Sequence, residues 1–237
     1  MNLLSIVEQK SLLKHPFYKL WLEGKLPKEA LQKYAVQYYQ LVANLPRFIS
    51  RMHANCGDSE IRHQLLKNIN EEERGEGNGD ISHAELWLDF AEELGVDRNT
   101  AKNANQELLP ETIRAVKTIQ FECNHSLIEG AAALYAYESQ VPQISVEKIR
   151  GLKENYNITS PKALRFFRVH AVVDKKHGKV WDTMIKTHAA TNELQHKADT
   201  SAHRTAQALW TMFDAMYEKF VPQEIKIPVA PKGRGID

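Results

Sequence analysis

Apolar positions recur at helical spacing through nearly the whole 237-residue chain, and no window alternates as a half-buried strand would. Residues 2–14 predict a first amphipathic helix with Leu3, Leu4, Val7 and Leu12 or Leu13 inward, interrupted at His15-Pro16. Phe17-Tyr18-Lys19-Leu20-Trp21-Leu22 is a dense aromatic turn. Pro27 opens a long helix whose inner face carries Leu31, Tyr34, Tyr38, Leu41 and Leu45, with a kink expected at Pro46. Asp58-Ser59 caps a helix that ends in Glu71-Glu72-Glu73. Arg74 to Asp80, rich in glycine, is expected to be the most flexible stretch. Asp80 or Ser82 restarts a helix with His83, Leu86, Trp87 and Phe90, stopped at Gly95. Pro110 opens a helix expected to run unbroken to Glu138; Pro142 starts a shorter one to about Tyr156. Ser160-Pro161 caps the next, and a last helix covers about 192 to Phe220. The pattern predicts an all-α bundle of about seven helices in one domain, 1–220, followed by an extended tail, 221–237.

Composition narrows the class without changing the fold. Lys+Arg 31 against Asp+Glu 30 gives a formal charge of +1, which offers no basic surplus for nucleic acid. Cys56 and Cys123 match no metal or redox spacing and read as reduced thiols. The apolar run at the N-terminus is too short for a signal peptide, and no segment reaches the ~18 apolar residues of a membrane span. The expectation is a soluble cytoplasmic protein.

Candidate chemistry centres on Arg168-Val-His170-Ala-Val-Val-Asp174-Lys-Lys-His177. At ~100° per residue, Asp174 lies about 40° from His170, and His177 about 20° to the other side. Two imidazoles and a carboxylate on one narrow face suit a divalent metal. Two other stretches offer partners. Glu71-Glu72-Glu73 sits at a helix C-terminus, where the dipole disfavours acids, so another demand is implied there, with His83 beyond the loop. Glu138 is a lone carboxylate in the apolar run Gly130-Ala-Ala-Ala-Leu-Tyr-Ala-Tyr137-Glu138. A rival layout uses Glu-x-x-His pairs, present as Glu60/His63, Glu122/His125 and Glu193/His196, but their surroundings are polar. Cys123 has no nucleophilic setting.

Taken in order, Glu72, His83-x-x-Leu86-Trp87, Ala132 to Glu138-Ser-Gln-Val-Pro-Gln, Glu147-Lys148-Ile-Arg-Gly-Leu and His170-x3-Asp174-x2-His177 resemble the haem-oxygenase-like di-metal oxidases. Within them the chain is similar to the group typified by the chlamydia protein associating with death domains, which are para-aminobenzoate synthases. The resemblance covers about residues 5–220. It implies a seven-helix haem-oxygenase-like bundle without haem, of the thiaminase-like and pyrroloquinoline-quinone-synthase-like architecture. It further implies two metals, Fe/Fe or Fe/Mn, on Glu72, His83, Glu138, His170, Asp174 and His177, with O2 and a reductant as co-substrates. In such enzymes a tyrosine matching Tyr18 supplies the aromatic ring, and a lysine matching Lys148 is the amine donor. A homodimer is the family expectation. Without the resemblance Tyr18 reads as a core aromatic and Lys148 as a solvated helix lysine.

Two departures from that pattern stand out. The loop after Glu72 is longer, so Glu71, Glu73 or Glu76 could replace Glu72. Phe166 stands where a tyrosine is expected, which leaves Tyr137 or Tyr39 to relay a radical. Three carboxylates, three neutral imidazoles and two divalent ions leave one positive charge, room for an anionic bridge. Without metal the gathered carboxylates should repel and their pKa values rise. Two other classes compete: an oxidase or N-oxygenase acting on a separate small substrate, and an interaction protein for death domains. Nothing in the sequence requires the latter.

Overall fold

The computed structural model describes residues 3–75, 81–104 and 106–227. Among these every regular element is helical: α1 (Leu3–Gln9), α2 (Pro16–Leu22), α3 (Lys28–Asn55), α4 (Ser59–Arg74), α5 (His83–Glu93), α6 (Arg98–Lys102), α7 (Pro110–His125), α8 (Leu127–Glu138), α9 (Val141–Asn155), α10 (Pro161–His188) and α11 (Asn192–Phe220), with single 3-10 turns at Leu12–Lys14 and Gln223–Ile225. The all-α class is as expected, but the helical segments outnumber seven because short α1, α2 and α6 stand apart and one long helix is divided. The flexible stretch expected after Arg74 falls, beyond Gly75, outside the described residues, as does the tail beyond Ile227.

Capping explains the boundaries. Asp58 accepts from the backbone N–H groups of Glu60 and Ile61, Ser82 from Glu85, Ser160 from Ala163 and Thr191 from Leu194. The expected helix from Glu111 to Glu138 breaks at Ser126, whose backbone is extended (φ −148°, ψ 164°). Ser126 Oγ accepts from Glu129 N at 3.2 Å and donates to Glu129 Oε2 at 2.7 Å. This Ser-x-x-Glu box starts a new helix where periodicity alone reads straight through.

Helix α3 is continuous through Pro46 and buries Leu31, Tyr34, Tyr38, Leu41 and Leu45 as expected. Leu4 does not face inward; it is 49% exposed, while Ile6 and Val7 carry the contact of α1. The body of the bundle is α3 against α4, α5 and α7; α10 against α5, α8 and α9; and α11 against α7 and α8. No helix among the described residues is long and apolar enough to cross a membrane.

Candidate metal centre

Four helices deliver six buried ligand-type side chains to one point in the bundle. Glu72 comes from the last turn of α4, His83 is the first residue of α5, Glu138 is the last of α8, and His170, Asp174 and His177 line one face of α10. They gather as two triads, Glu72/His83/His170 and Glu138/Asp174/His177, with one ligand-type atom of each residue within 4.8 Å of those of its fellows. All six are at most 4% exposed. The 40° and 20° spacing read from the sequence is what turns the three α10 side chains to the same side.

Burying so many ionisable groups is costly unless they find partners. Some do. His83 Nδ1 lies 2.7 Å from Glu72 Oε2, and His170 Nδ1 lies 2.8 Å from Phe166 O, which leaves His170 Nε2 for the centre. His177 Nε2 lies 2.7 Å from Glu71 Oε2, so its Nδ1 faces inward, 3.2 Å from Glu138 Oε2 and 3.5 Å from Asp174 Oδ1. Those inward contacts lack hydrogen-bond geometry: His177 Nδ1, both oxygens of Glu138, Asp174 Oδ1 and Glu72 Oε1 are buried without a hydrogen-bond partner. Orphaned oxygens from three carboxylates and the orphaned Nδ1 of His177, with the imidazoles of His83 and His170 beside them, are the donor set of a divalent first-row metal pair. The residues present fit such a group. A small cavity of about 10 Å³ is lined by Glu72, Glu138, His170 and Asp174 and walled also by Tyr38, Tyr137 and Phe166.

The ionisation balance shows the same strain. Burial, with help from Glu138, pushes Asp174 up to about 7, and burial with Glu72 nearby raises Glu138 as well. Burial, aided by His83, pushes His170 down to about 3. Burial works against the charged forms of Glu72 and His83, but their mutual attraction wins: Glu72 is lowered and His83 raised. The expected rise therefore holds for two carboxylates and fails for Glu72, because His83 is at hydrogen-bond distance. Burial likewise opposes a charged His177, yet Asp174, Glu138 and Glu71 raise its pKa well above the usual imidazole range.

Of the substitutes considered for Glu72, Glu73 is exposed and Glu76 lies outside the described residues. Glu71 is buried but stands behind His177, a role the sequence reading did not assign. The Glu-x-x-His layout is not assembled: His63, His125 and His196 are exposed. Cys123 is buried and its thiol pKa is raised by burial.

A second buried region adjoins the first. Lys148 on α9 is 3% exposed, not solvated, and its Nζ donates to the Tyr34 hydroxyl. The same nitrogen lies 4.7 Å from the Tyr34 ring centroid, 4.9 Å from Tyr38, 5.1 Å from Tyr18 and 5.4 Å from Trp21, with Trp87 and Phe167 beyond. Burial alone holds its pKa well below the usual lysine range. Tyr18 is 1% exposed, its hydroxyl has no partner in hydrogen-bond geometry among the described residues, and burial raises its pKa strongly. Tyr38 joins the two regions: its ring is 5.3 Å from Tyr34 and 6.4 Å from Tyr137, and it lines the small cavity.

Tyr137 is buried at that cavity, as the sequence suggests, but Tyr39 is not there. One residue along α3 turns it ~100° away, and its hydroxyl feels Lys102, Glu85 and Arg98 instead. Tyr38 occupies the place proposed for Tyr39. Phe166 stacks on His170 with ring centroids 3.9 Å apart and meets Trp87 edge-on at 4.8 Å. Tyr34 and Tyr38 were legible only as core positions; their spacing of four on the inner face gave no sign of the lysine between them.

Comparison with known proteins places these features in a family. A family described as iron-containing redox enzymes matches residues 32–210. The chain is 38% identical over 226 residues to a protein of Nitrosomonas europaea named 4-aminobenzoate synthase, covering 91% of this chain and 89% of that one. It is 41% identical over 182 residues to a Chlamydia pneumoniae protein of the same name, covering 76% and 78%. The fold superposes on a TenA homologue from Pseudomonas syringae with TM-score 0.78 and 15% identity, covering 91% of each chain.

Proposed function

The chain belongs to the haem-oxygenase-like family of iron-containing redox enzymes, and from that premise we propose that it is an O2-dependent two-metal oxidase that makes 4-aminobenzoate from its own Tyr18 ring, with Lys148 as the amine source. One observation carries the reading: the Lys148 amine lies 5.1 Å from the Tyr18 ring centroid, inside a buried aromatic cage that abuts the metal-type cavity. Glu72, His83 and His170 would hold one ion and Glu138, Asp174 and His177 the other, as an Fe/Fe or Fe/Mn pair. When bound, the ions supply oxidation by O2.

The chain's own residues prepare the rest. Burial keeps Tyr18 a phenol, so an electron leaves it readily only if its proton leaves too. The lowered pKa of Lys148 leaves a neutral amine in the same cage, with a lone pair free to take a proton or to form a bond. Tyr34 fixes that nitrogen by accepting one of its hydrogens. Tyr38 and Tyr137 supply aromatic contacts between cage and cavity, in place of the missing tyrosine at Phe166. The space beside the triads is small, about 10 Å³, which supports consumption of the protein's own side chains over a separate organic substrate seated in that cavity.

Intact mass measurement and peptide mapping test this. After iron loading, reduction and exposure to air, the peptides of Tyr18 and Lys148 should change mass in step with 4-aminobenzoate released, with no more than one product per chain. Unchanged masses with repeated turnover would assign the oxidation to a separate substrate.

A further inference from the structure

The small cavity and the surface meet at Asp174. Besides walling that cavity, Asp174 lines an open cleft of about 600 Å³ between the end of α8, the start of α9 and the outer side of α10. The seam is built of small residues: a Cβ placed on Gly178 would lie 3.7 Å from Ser139 Cα. Ser139 Oγ, in the cleft lining, is buried without a hydrogen-bond partner among the described residues, whereas Asp174 Oδ1, also without one, lies 3.5 Å from His177 Nδ1.

The cleft is charged by its lip. Helix α10 carries Lys162, Arg165, Arg168, Lys175, Lys176, Lys179 and Lys186 against Asp174 and Asp182, in a chain whose formal charge is only +1. Lys162 is bound to Glu92 and Lys186 to Asp182. Lys175 and Lys179, one turn apart on the lip, are exposed and have no ion-pair partner among the described residues. Of the acids in the cleft, Asp182 is engaged by Lys186 at 2.6 Å and Asp174 faces the triad. Opposite the lysines, Pro142 and the 53%-exposed Val146 form an apolar wall. Cations on one side, an apolar wall on the other and an unpaired hydroxyl below suit a small, flat organic anion. Focused charge of this kind also speeds its arrival.

We propose that this cleft binds a small anionic reductant of the enediolate class and passes its electrons to the metal pair through the Asp174 wall. The inference rests on the two-metal reading above. In the step, the enediolate loses two electrons and one proton and becomes a diketone. Two trivalent ions held by the triads would each take one electron, and the proton would leave to water through the open cleft. Ser139 Oγ–H donates to the anion, Lys175 and Lys179 neutralise it, and Val146 and Pro142 cover its carbon face.

Ascorbate is the probe. Calorimetry on metal-free protein should show one site per chain, weakened at least tenfold in Lys175→Glu/Lys179→Glu and in Val146→Asp. The control Lys117→Glu, in a different groove, should match the unchanged protein. With iron-loaded protein, bleaching of the ferric absorbance should saturate with ascorbate concentration, and become linear and slower in the double variant. No binding to the unchanged protein, or equal binding by all variants, overturns the proposal. Failure of the chain to take up iron would instead overturn the two-metal reading, and the calorimetry would still decide whether the cleft is an anion site.

Discussion

Glu71 Oε2 accepts a hydrogen bond from His177 Nε2 at 2.7 Å, and that bond turns His177 Nδ1 toward Glu138 and Asp174. A carboxylate behind a ligating imidazole fixes its tautomer and raises its basicity. Glu71→Gln keeps an acceptor but removes the charge. Metal affinity should fall ~10–100-fold, measured by competition with a chelator. Glu73→Gln, two residues along on an exposed position, should bind like the unchanged protein. Equal affinities for both variants would show that Glu71 does not support His177.

The pH dependence of metal uptake follows from the displaced ionisation of three side chains of α10, His170, Asp174 and His177. Asp174 is pushed up to about 7 by burial and then by Glu138, so in the metal-free protein it holds a proton below that pH. His170, pushed down to about 3 by burial and then by His83, carries none at any physiological pH. A metal must displace the proton on Asp174 but meets no such competition at His170. Asp174, Glu138 and Glu71 also hold a proton on His177 well above the usual imidazole range, so apparent affinity should rise with pH across the neutral range and fall more steeply below about pH 7, where Asp174 adds a second proton, roughly tenfold per pH unit per proton. Proton release on metal addition, followed with an indicator dye, should grow as pH drops through that range; release that does not vary with pH would contradict the assignment.

Much of the centre could be read from residue spacing, because helical geometry is local. The face formed by His170, Asp174 and His177 and the isolation of Glu138 in an apolar run are both visible without coordinates. What could not be read depends on long-range packing. Glu71 and Glu72 are neighbours in an acidic run, and only the approach of α5 and α10 decides which meets His83 and which meets His177. Lys148 looks solvated on a helix of mixed polarity until α2, α3, α5 and α10 bring their rings around it. Helical periodicity already puts Tyr38, not Tyr39, on the inner face of α3, and that face is the one that lines the cavity. The break at Ser126 is a different kind of miss, since the Ser-x-x-Glu signal was present in the sequence and the apolar run masked it.

Gly151 lies three residues after Lys148, and a Cβ there would stand 2.9 Å from Trp21 Cδ1 and 3.1 Å from its Nε1. The indole is fully buried and cannot retreat as a flexible chain end would. Gly151→Ala should therefore push α2 away from α9 at a cost of ~1–3 kcal/mol, typical of overpacking, despite the better helix propensity of alanine. Because Tyr18 rides on α2, the yield of the Tyr18 mass change should fall further than the thermal midpoint alone would suggest. A variant as stable as the unchanged protein, with full yield, would mean that the Trp21 contact does not set the position of Tyr18.

The amine of Lys148 makes stability depend on pH in a direction that can be worked out. Burial lowers its pKa in the folded chain, whereas in the unfolded chain it titrates near 10.4. Between the two values the unfolded state binds more protons, so stability from this group rises with pH and is complete only above about 10.4. At neutral pH the buried amine thus holds stability below its alkaline value, by about 1.4 kcal/mol for each tenfold loss of proton affinity. Lys148→Met removes the titration but leaves the Tyr34 hydroxyl without its partner, a loss of ~1–3 kcal/mol that does not vary with pH below the range where tyrosines ionise. The informative quantity is accordingly the slope. Relative to the unchanged protein, the variant's stability in urea should be greatest at low pH and decline steadily from pH 7 toward 10. A constant difference across that range would mean that Lys148 is charged in the fold, and its role as a neutral amine donor would fall with it.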